Sequence, residues 1–146
     1  MKLNMCCGNY PLEGWMNYDI NPINKDVIKH DILTPFNFYD NTVQFINIEH
    51  ALEHFTVDES YKILKEFYRI LSKNGVLRIT IPSFEFIKNL ICEDNDIIRQ
   101  YRKFQIEHYA TDIEKEMLND YPLDIVINNF YRLWGHKTIW SDKTLI

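Results

Sequence analysis

Glycine and cysteine are both scarce in this sequence of 146 residues, which contains four glycines and three cysteines. Three is an odd number, and Cys6 and Cys7 are adjacent, so the cysteines do not fit a disulfide framework. We therefore expect reduced thiols in a cytoplasmic protein. Because glycines are so few, each one is expected where the backbone needs its conformational freedom.

Long apolar runs and an excess of positive charge are also absent. No stretch of about 18 apolar residues occurs, and the first residues turn polar too soon for a signal peptide, so we expect no membrane segment. The formal net charge is −5, whereas binding to a phosphate backbone needs a basic surface. We expect no nucleic-acid or membrane partner, and we interpret Arg99, Arg102 and Lys103 as a solvated helix face.

What remains is the composition of an ordinary globular domain, with 46% hydrophobic and 25% charged residues. The first half alternates short apolar runs with turn residues, which is typical of an α/β fold. The runs predict strands over residues 3–6, 16–20, 26–30, 43–48 and 76–81. A strand, a helix and a strand within about 40 residues predict parallel pairing.

One helix is predicted between the last two strands. Thr56 and Glu59 form a capping-box pattern at its start, and Asn74-Gly75 predicts its end with Gly75 in the left-handed conformation. The spacing of apolar residues predicts a buried face made of Tyr61, Leu64, Phe67, Tyr68 and Leu71.

The second half differs in character, since residues 84–133 are rich in tyrosine and isoleucine and mostly helical in period. A break is predicted at Tyr121-Pro122. A long segment off a sheet is usually a lid or a binding wall. We predict a single domain over residues 1–146, with a sheet core at 1–83 and a helical lid or substrate wall at 84–146.

Polar residues follow the first four predicted strands, where parallel sheets bind ligands. A carboxylate at Asp19 can accept both hydroxyls of a ribose, although a turn aspartate explains the position equally well. Asp31 lies where an adenine amine would meet an acceptor, or is a turn or cap residue. Neither G-x-G-x-x-G nor a P-loop motif occurs, so a dinucleotide or a phosphate-loop site has little support.

Six motifs together resemble those of small class I S-adenosylmethionine-dependent methyltransferases, over residues 1–85 and again near 135. The cofactor loop L-G-C-G-x-x-P is similar to Met5-Cys6-Cys7-Gly8-Asn9-Tyr10-Pro11, and the acidic loop to Tyr18-Asp19-Ile20-Asn21-Pro22. The motifs H-D-L, E-H-x-L-E-H-F, L-K-P-G-G-x-L-R and G-H-K resemble His30-Asp31-Ile32, Glu49-His50-Ala51-Leu52-Glu53-His54-Phe55, residues 71–78 and Gly135-His136-Lys137.

This resemblance implies a Rossmann-like, mostly parallel sheet of about five strands with flanking helices. It implies S-adenosylmethionine as cofactor, S-adenosylhomocysteine as product and an unidentified, small-molecule acceptor. Asp19 would bind the ribose, Asp31 would lie by the adenine, and Glu49 and His50 would lie near the sulfonium. The implied cofactor-binding residues are Cys6, Cys7, Gly8, Asn9, Asp19, Ile20, His30, Asp31, Ile32, Glu49 and His50.

Methyl transfer needs mainly positioning, so no protein nucleophile and no metal ion is expected. Candidates for a general base are His50, His54 and His136, together with Tyr109.

The sequence departs from the family in two places. Cys6 stands where the family has its first glycine, which would cost about 1–2 kcal/mol if the backbone there has positive φ. The family pattern continues beyond G-H-K into a helix and two more strands, which we expect to be missing here. The fifth strand would then be a sheet edge, covered by residues 84–133 or by a second subunit in a homodimer.

Two alternatives remain open. The chain could be a degenerate, non-catalytic module that binds the cofactor poorly or serves as a partner surface. Alternatively, His50-x-x-Glu53-His54 matches the inverted zinc-peptidase motif and would make a zinc hydrolase if both histidines lay on one continuous helix.

Overall fold

The computed structural model of the chain describes residues 1–109, 123–132, 134–141 and 143–145. They divide into two compact units, Met1–Ile81 and Pro82–Ile146. The first unit contains β1 (Lys2–Met5), β2 (Met16–Asp19), β3 (Val27–Lys29), β4 (Val43–Glu49), a short 3-10 helix (Leu52–His54), α1 (Val57–Ile70) and β5 (Leu71–Thr80). The second contains α2 (Phe84–Cys92), α3 (Asp96–Tyr109) and α4 (Leu123–Arg132).

The five strands form one parallel sheet in the order β3-β2-β1-β4-β5. This confirms the predicted Rossmann-like α/β sheet. The strand order reverses between β1 and β4, and ligands of such sheets bind beyond the carboxyl ends of the strands at that point. Strand β5 lies at one edge, as predicted; its coverage by a second subunit stays a prediction.

One face of the sheet is an apolar core. Parallel pairing places Leu3 beside Ile46 and Met5 beside Ile48, and all four side chains are at most 1% exposed. Such nearly continuous apolar strands are typical of parallel sheets whose faces are buried.

Helix α1 begins as predicted and buries a different stripe from the predicted one. The Thr56 side chain accepts the Glu59 N–H at 3.3 Å, and Glu59 Oε2 accepts the Thr56 N–H at 2.8 Å. The predicted face is wrong at Tyr61 and Tyr68, which are 67% and 84% exposed, whereas Phe67 is buried as predicted. The buried residues are Ser60, Ile63, Phe67 and Ile70. This stripe packs without burying a tyrosine hydroxyl, which would need a hydrogen-bond partner.

The predicted end of α1 is also wrong. The helix ends at Ile70, and β5 begins at once with Leu71. Asn74 is the residue with positive φ, 65°, and Gly75 is not left-handed. Gly75 is required for space, because a Cβ there would lie 2.8 Å from Leu71 Cγ and 2.9 Å from the Ser72 carbonyl oxygen.

The second unit is helical, as predicted for its described residues. Its core contains Leu90 of α2, Ile98 and Ile106 of α3, and Val126 of α4. The predicted break at Tyr121-Pro122 lies outside the described residues, and the role of this unit as a lid stays a prediction. No helix in the described parts of the chain is long and apolar enough to cross a membrane.

Candidate functional site

A cavity of about 910 Å³ opens where β1 and β4 end, at the reversal in strand order. Its volume is within the range of small-molecule sites. It brings together six of the predicted site residues, Cys6, Cys7, Gly8, Asn9, Glu49 and His50. The rest of its wall consists of Asn4, Met5, Tyr10, Leu12, Trp15, Asn47 and Arg78.

The loop after β1 is held in a tight conformation by β2. Cys6 and Gly8 both have positive φ, 52° and 51°. The Cys7 N–H donates to the Tyr18 carbonyl at 3.1 Å, and the Gly8 N–H donates to Asp19 Oδ2 at 2.9 Å. The backbone at Cys6 therefore has the conformation that the family's glycine favours, and a side chain there costs about 1–2 kcal/mol.

The half-buried carboxylate of Asp19 accepts hydrogen bonds from two backbone segments at this end of the sheet. Its Oδ2 accepts the Gly8 N–H, and its Oδ1 accepts the Asn21 N–H at 2.9 Å. Each carboxylate oxygen has two lone-pair sites, so each keeps one for a further donor. Asp19 does not line the cavity itself but is bonded to Gly8, which does.

The Cys6 thiol is affected both by burial and by carboxylates at several strand ends, and both raise its pKa. Burial raises its pKa to about 12, and the carboxylates of Asp19, Asp31 and Glu53 contribute in the same direction. A thiolate here would be poorly solvated and would face negative charge. We therefore expect the thiol to be protonated at neutral pH and to react slowly.

Of the predicted adenine-side residues, His30, Asp31 and Ile32 lie at a turn after β3. Asp31 Oδ1 accepts the Leu33 N–H at 2.9 Å, and the His30 ring lies 4.0 Å from the Phe36 ring. Ile32 is buried and lines a second cavity of about 660 Å³, whereas Ile20 is 53% exposed. None of these four residues lines the first cavity.

Of the three candidate catalytic histidines, His50 lies in the cavity wall. Its side chain is 61% exposed, and its Nδ1 lies 3.4 Å from Oε1 of the buried Glu53. His54 is in the short 3-10 helix. His136 belongs to the second unit, where its ring lies 5.7 Å from the Phe130 ring.

The geometry expected for a zinc-peptidase motif is absent from residues 50–54. His50 has a left-handed backbone with φ of 48°, and Ala51 has φ of −135°. His50 and His54 therefore do not lie on one continuous helix, because the helical turn begins only at Leu52.

A row of polar residues crosses the face of the sheet opposite the apolar core, and sequence reasoning missed it. Strand pairing places Asn17, Asn4, Asn47 and Arg78 side by side on β2, β1, β4 and β5. The three asparagines are 4–7% exposed. Each strand carries the signal, a polar residue between two apolar ones, as in Leu3-Asn4-Met5 and Ile46-Asn47-Ile48. We call these four residues the polar row.

Comparison with known proteins finds one family model that is similar to part of the chain. Residues 15–79, which span β2 to nearly the end of β5, match the family model of a methyltransferase domain. The matched segment is slightly less than half of the chain. It agrees with the resemblance of the motifs to class I S-adenosylmethionine-dependent methyltransferases and with the enzyme class that this resemblance implies.

No curated protein sequence matches this chain significantly. Among solved structures it is similar to a chain of a complex between the Haloferax volcanii Trm112 methyltransferase activator and a candidate methyltransferase. The two chains are 14% identical with a TM-score of 0.48, and the alignment covers 92% of this chain and 78% of that one.

Proposed function

We propose that this chain is a cytoplasmic methyltransferase that binds S-adenosylmethionine in the first cavity and methylates a small-molecule acceptor. The supporting observation is the Asp19 carboxylate, which is bonded to the loop after β1 and keeps one lone pair on each oxygen. The free thiols of Cys6, Cys7 and Cys92 fit a reducing compartment.

The residues present fit this cofactor. The cavity is large enough for a nucleoside joined to an amino acid, and space is open beside the loop, because a Cβ built on Gly8 meets no atom within 4 Å. Asp19 would hold the ribose hydroxyls, and the backbone of Cys6, Cys7 and Gly8 would face the methionine end. Asp31 would lie on the adenine side.

The cofactor supplies an already activated methyl group, so the protein contributes mainly orientation. Glu49 and His50 line the cavity wall and would lie on the sulfonium side. The His50 imidazole would accept the proton from the acceptor, while the Glu53 carboxylate at 3.4 Å orients the ring.

Replacement of Asp19 tests the cofactor site. We expect Asp19→Ala to weaken binding of S-adenosylhomocysteine roughly ten- to a hundredfold, since hydrogen bonds to a charged group contribute about 1.5–3 kcal/mol. Isothermal titration calorimetry measures the dissociation constant, and thermal melting checks that the variant folds.

The matched control for Asp19→Ala is Asn24→Ala, which removes another turn hydrogen bond, from the Asp26 N–H to Asn24 Oδ1 at 2.9 Å. This exposed residue does not line the cavity, so the affinity should not change. A folded Asp19→Ala variant with an unchanged dissociation constant would remove Asp19 from the site. If millimolar S-adenosylhomocysteine gives the native chain neither a binding heat nor a thermal shift, the result would favour a non-catalytic module.

A further inference from the structure

Glu49 and Arg78 form an ion pair in the wall of the cavity. Arg78 Nη1 lies 3.0 Å from Glu49 Oε2, and the two side chains are 57% and 50% exposed. Ion pairs as exposed as this contribute little to stability. We propose that the pair binds the α-amino-acid end of S-adenosylmethionine, Arg78 through the carboxylate and Glu49 through the ammonium group. This inference rests on the proposed function.

The unused atoms of the pair match this ligand. The hydrogen bonds that Arg78 makes to described residues use Nη1, to Asn47 Oδ1 at 2.8 Å and to Glu49 Oε2. Nε and Nη2 carry three more N–H groups, in the fork geometry with which a guanidinium binds a carboxylate. Glu49 uses Oε2 for Arg78, so Oε1 can accept from an ammonium group. One cation and one anion side by side complement a zwitterion.

The polar row fixes the position of Arg78. Asn47, which accepts the Arg78 hydrogen bond, donates to Asn4 Oδ1 at 2.9 Å, and Asn4 donates to Asn17 Oδ1 at 2.9 Å. All three asparagines are buried, and a fully connected buried network holds its members in one arrangement. The guanidinium is therefore anchored by Nη1, while Nε and Nη2 make no hydrogen bond to the described residues.

The same row also holds the loop that carries another wall of the cavity. Asn17 Nδ2 donates to the Leu12 and Trp15 carbonyls at 3.1 Å, and its Oδ1 accepts the Leu12 N–H at 2.8 Å. Leu12 and Trp15 line the cavity together with Arg78. Both walls are thus fixed to one hydrogen-bonded unit, which is the preorganisation that a binding site needs.

Two ligands separate the amino-acid end from the rest of the cofactor. S-adenosylhomocysteine has the α-amino-acid group, and 5′-methylthioadenosine has the same thioether-linked adenosine without it. By calorimetry we expect Arg78→Met to weaken S-adenosylhomocysteine at least about tenfold, as for a lost charge-assisted bidentate contact. Its affinity for 5′-methylthioadenosine should change less than about twofold. Glu49→Gln should show the same pattern with a smaller loss.

The matched control is Lys2→Met, which removes one positive charge from the same face of the sheet. Lys2 lies over the Trp15 ring, 5.6 Å from its centroid, and does not line the cavity, so both affinities should stay unchanged. If Arg78→Met does not fold, the affinities of Glu49→Gln for the same two ligands are measured instead and test the proposal.

Three other outcomes would contradict the proposal, and the two ligands distinguish them. An equal loss for both ligands would show that Arg78 acts only through the polar row, and no loss for either would exclude the ion pair from the site. If the native chain binds neither ligand, the proposed function fails together with the inference.

Discussion

Cys6 combines a backbone conformation that favours glycine with a side chain in unfavourable electrostatic surroundings. Its φ of 52° favours glycine, yet it carries a thiol surrounded by the carboxylates of Asp19, Asp31 and Glu53. Positive φ is rare for residues other than glycine, asparagine and aspartate, and persists only where the surroundings fix it. Here the fixing contacts are the bonds of Cys7 and Gly8 to β2.

The raised pKa of Cys6 predicts its reactivity. At a pKa of about 12, compared with 9.0 for an unperturbed thiol, the thiolate fraction at neutral pH is about a thousandfold smaller. We expect iodoacetamide at pH 8 to modify the exposed Cys92 and to leave Cys6 unmodified in the native chain. Peptide mapping by mass spectrometry measures both sites, and unfolding in urea provides the control. Similar labelling rates at Cys6 and Cys92 in the native chain would contradict the prediction.

Individual site residues could be predicted where a motif placed them at a strand end. Glu49, His50 and the loop at residues 6–9 do line one cavity. Arg78 and Asn47 could not be identified in this way, because their role depends on register between strands that are 31 residues apart in sequence. Register is a property of two paired strands and cannot be deduced from the sequence of one strand. A polar residue between apolar residues can be seen in one strand, and it indicates a buried polar contact.

At the scale of elements, the last turn of α1 fastens the loop that precedes β4. Arg69 donates to the Phe36 and Phe38 carbonyls at 3.1 and 2.9 Å and pairs with Asp40 and Glu66. Glu66 Oε1 accepts the Phe36 N–H at 2.9 Å. The loop is therefore tied to the helix by charge-assisted bonds, which are stronger than neutral ones.

These bonds predict a loss of stability in acid. The Arg69 hydrogen bond lowers the pKa of Glu66 below its usual 4.5, so the folded state binds the proton less readily than the unfolded state. The contribution of Glu66 to the free energy of unfolding is complete well above pH 4.5, and it decreases as the pH falls through the lowered pKa of Glu66. We expect Glu66→Gln to cost about 1–3 kcal/mol at pH 7 and progressively less towards pH 3, by urea denaturation. A difference that is constant from pH 7 to pH 3 would contradict this.

Elements were predictable where local chemistry decides them. The capping box at Thr56 and Glu59 is local, and the structure has it. The end of α1 depends on packing, because Gly75 is needed for its closeness to Leu71 rather than for a left-handed cap. The buried stripe was ambiguous in sequence, since apolar residues occur at helical spacing on two adjacent stripes.

At the scale of the molecule, the cavity is assembled from three separate parts of the first unit. Residues 4–15, residues 47–50 and Arg78 line it, and parallel pairing of β1, β4 and β5 brings them together. Strand order could be expected from the family resemblance. The polar face of the sheet could not, because it follows from which residues of neighbouring strands point the same way.

The overall charge argues against a nucleic-acid acceptor. A net charge of −5 gives no general attraction to phosphate backbones, so we expect no saturable binding to a labelled DNA duplex at about 50 mM salt, where such binding is strongest. Fluorescence anisotropy measures it, and the same chain with an added tail of lysines is the positive control, whose binding should weaken as salt rises. Micromolar binding by the native chain would instead indicate a local basic surface and a nucleic-acid acceptor in place of a small molecule.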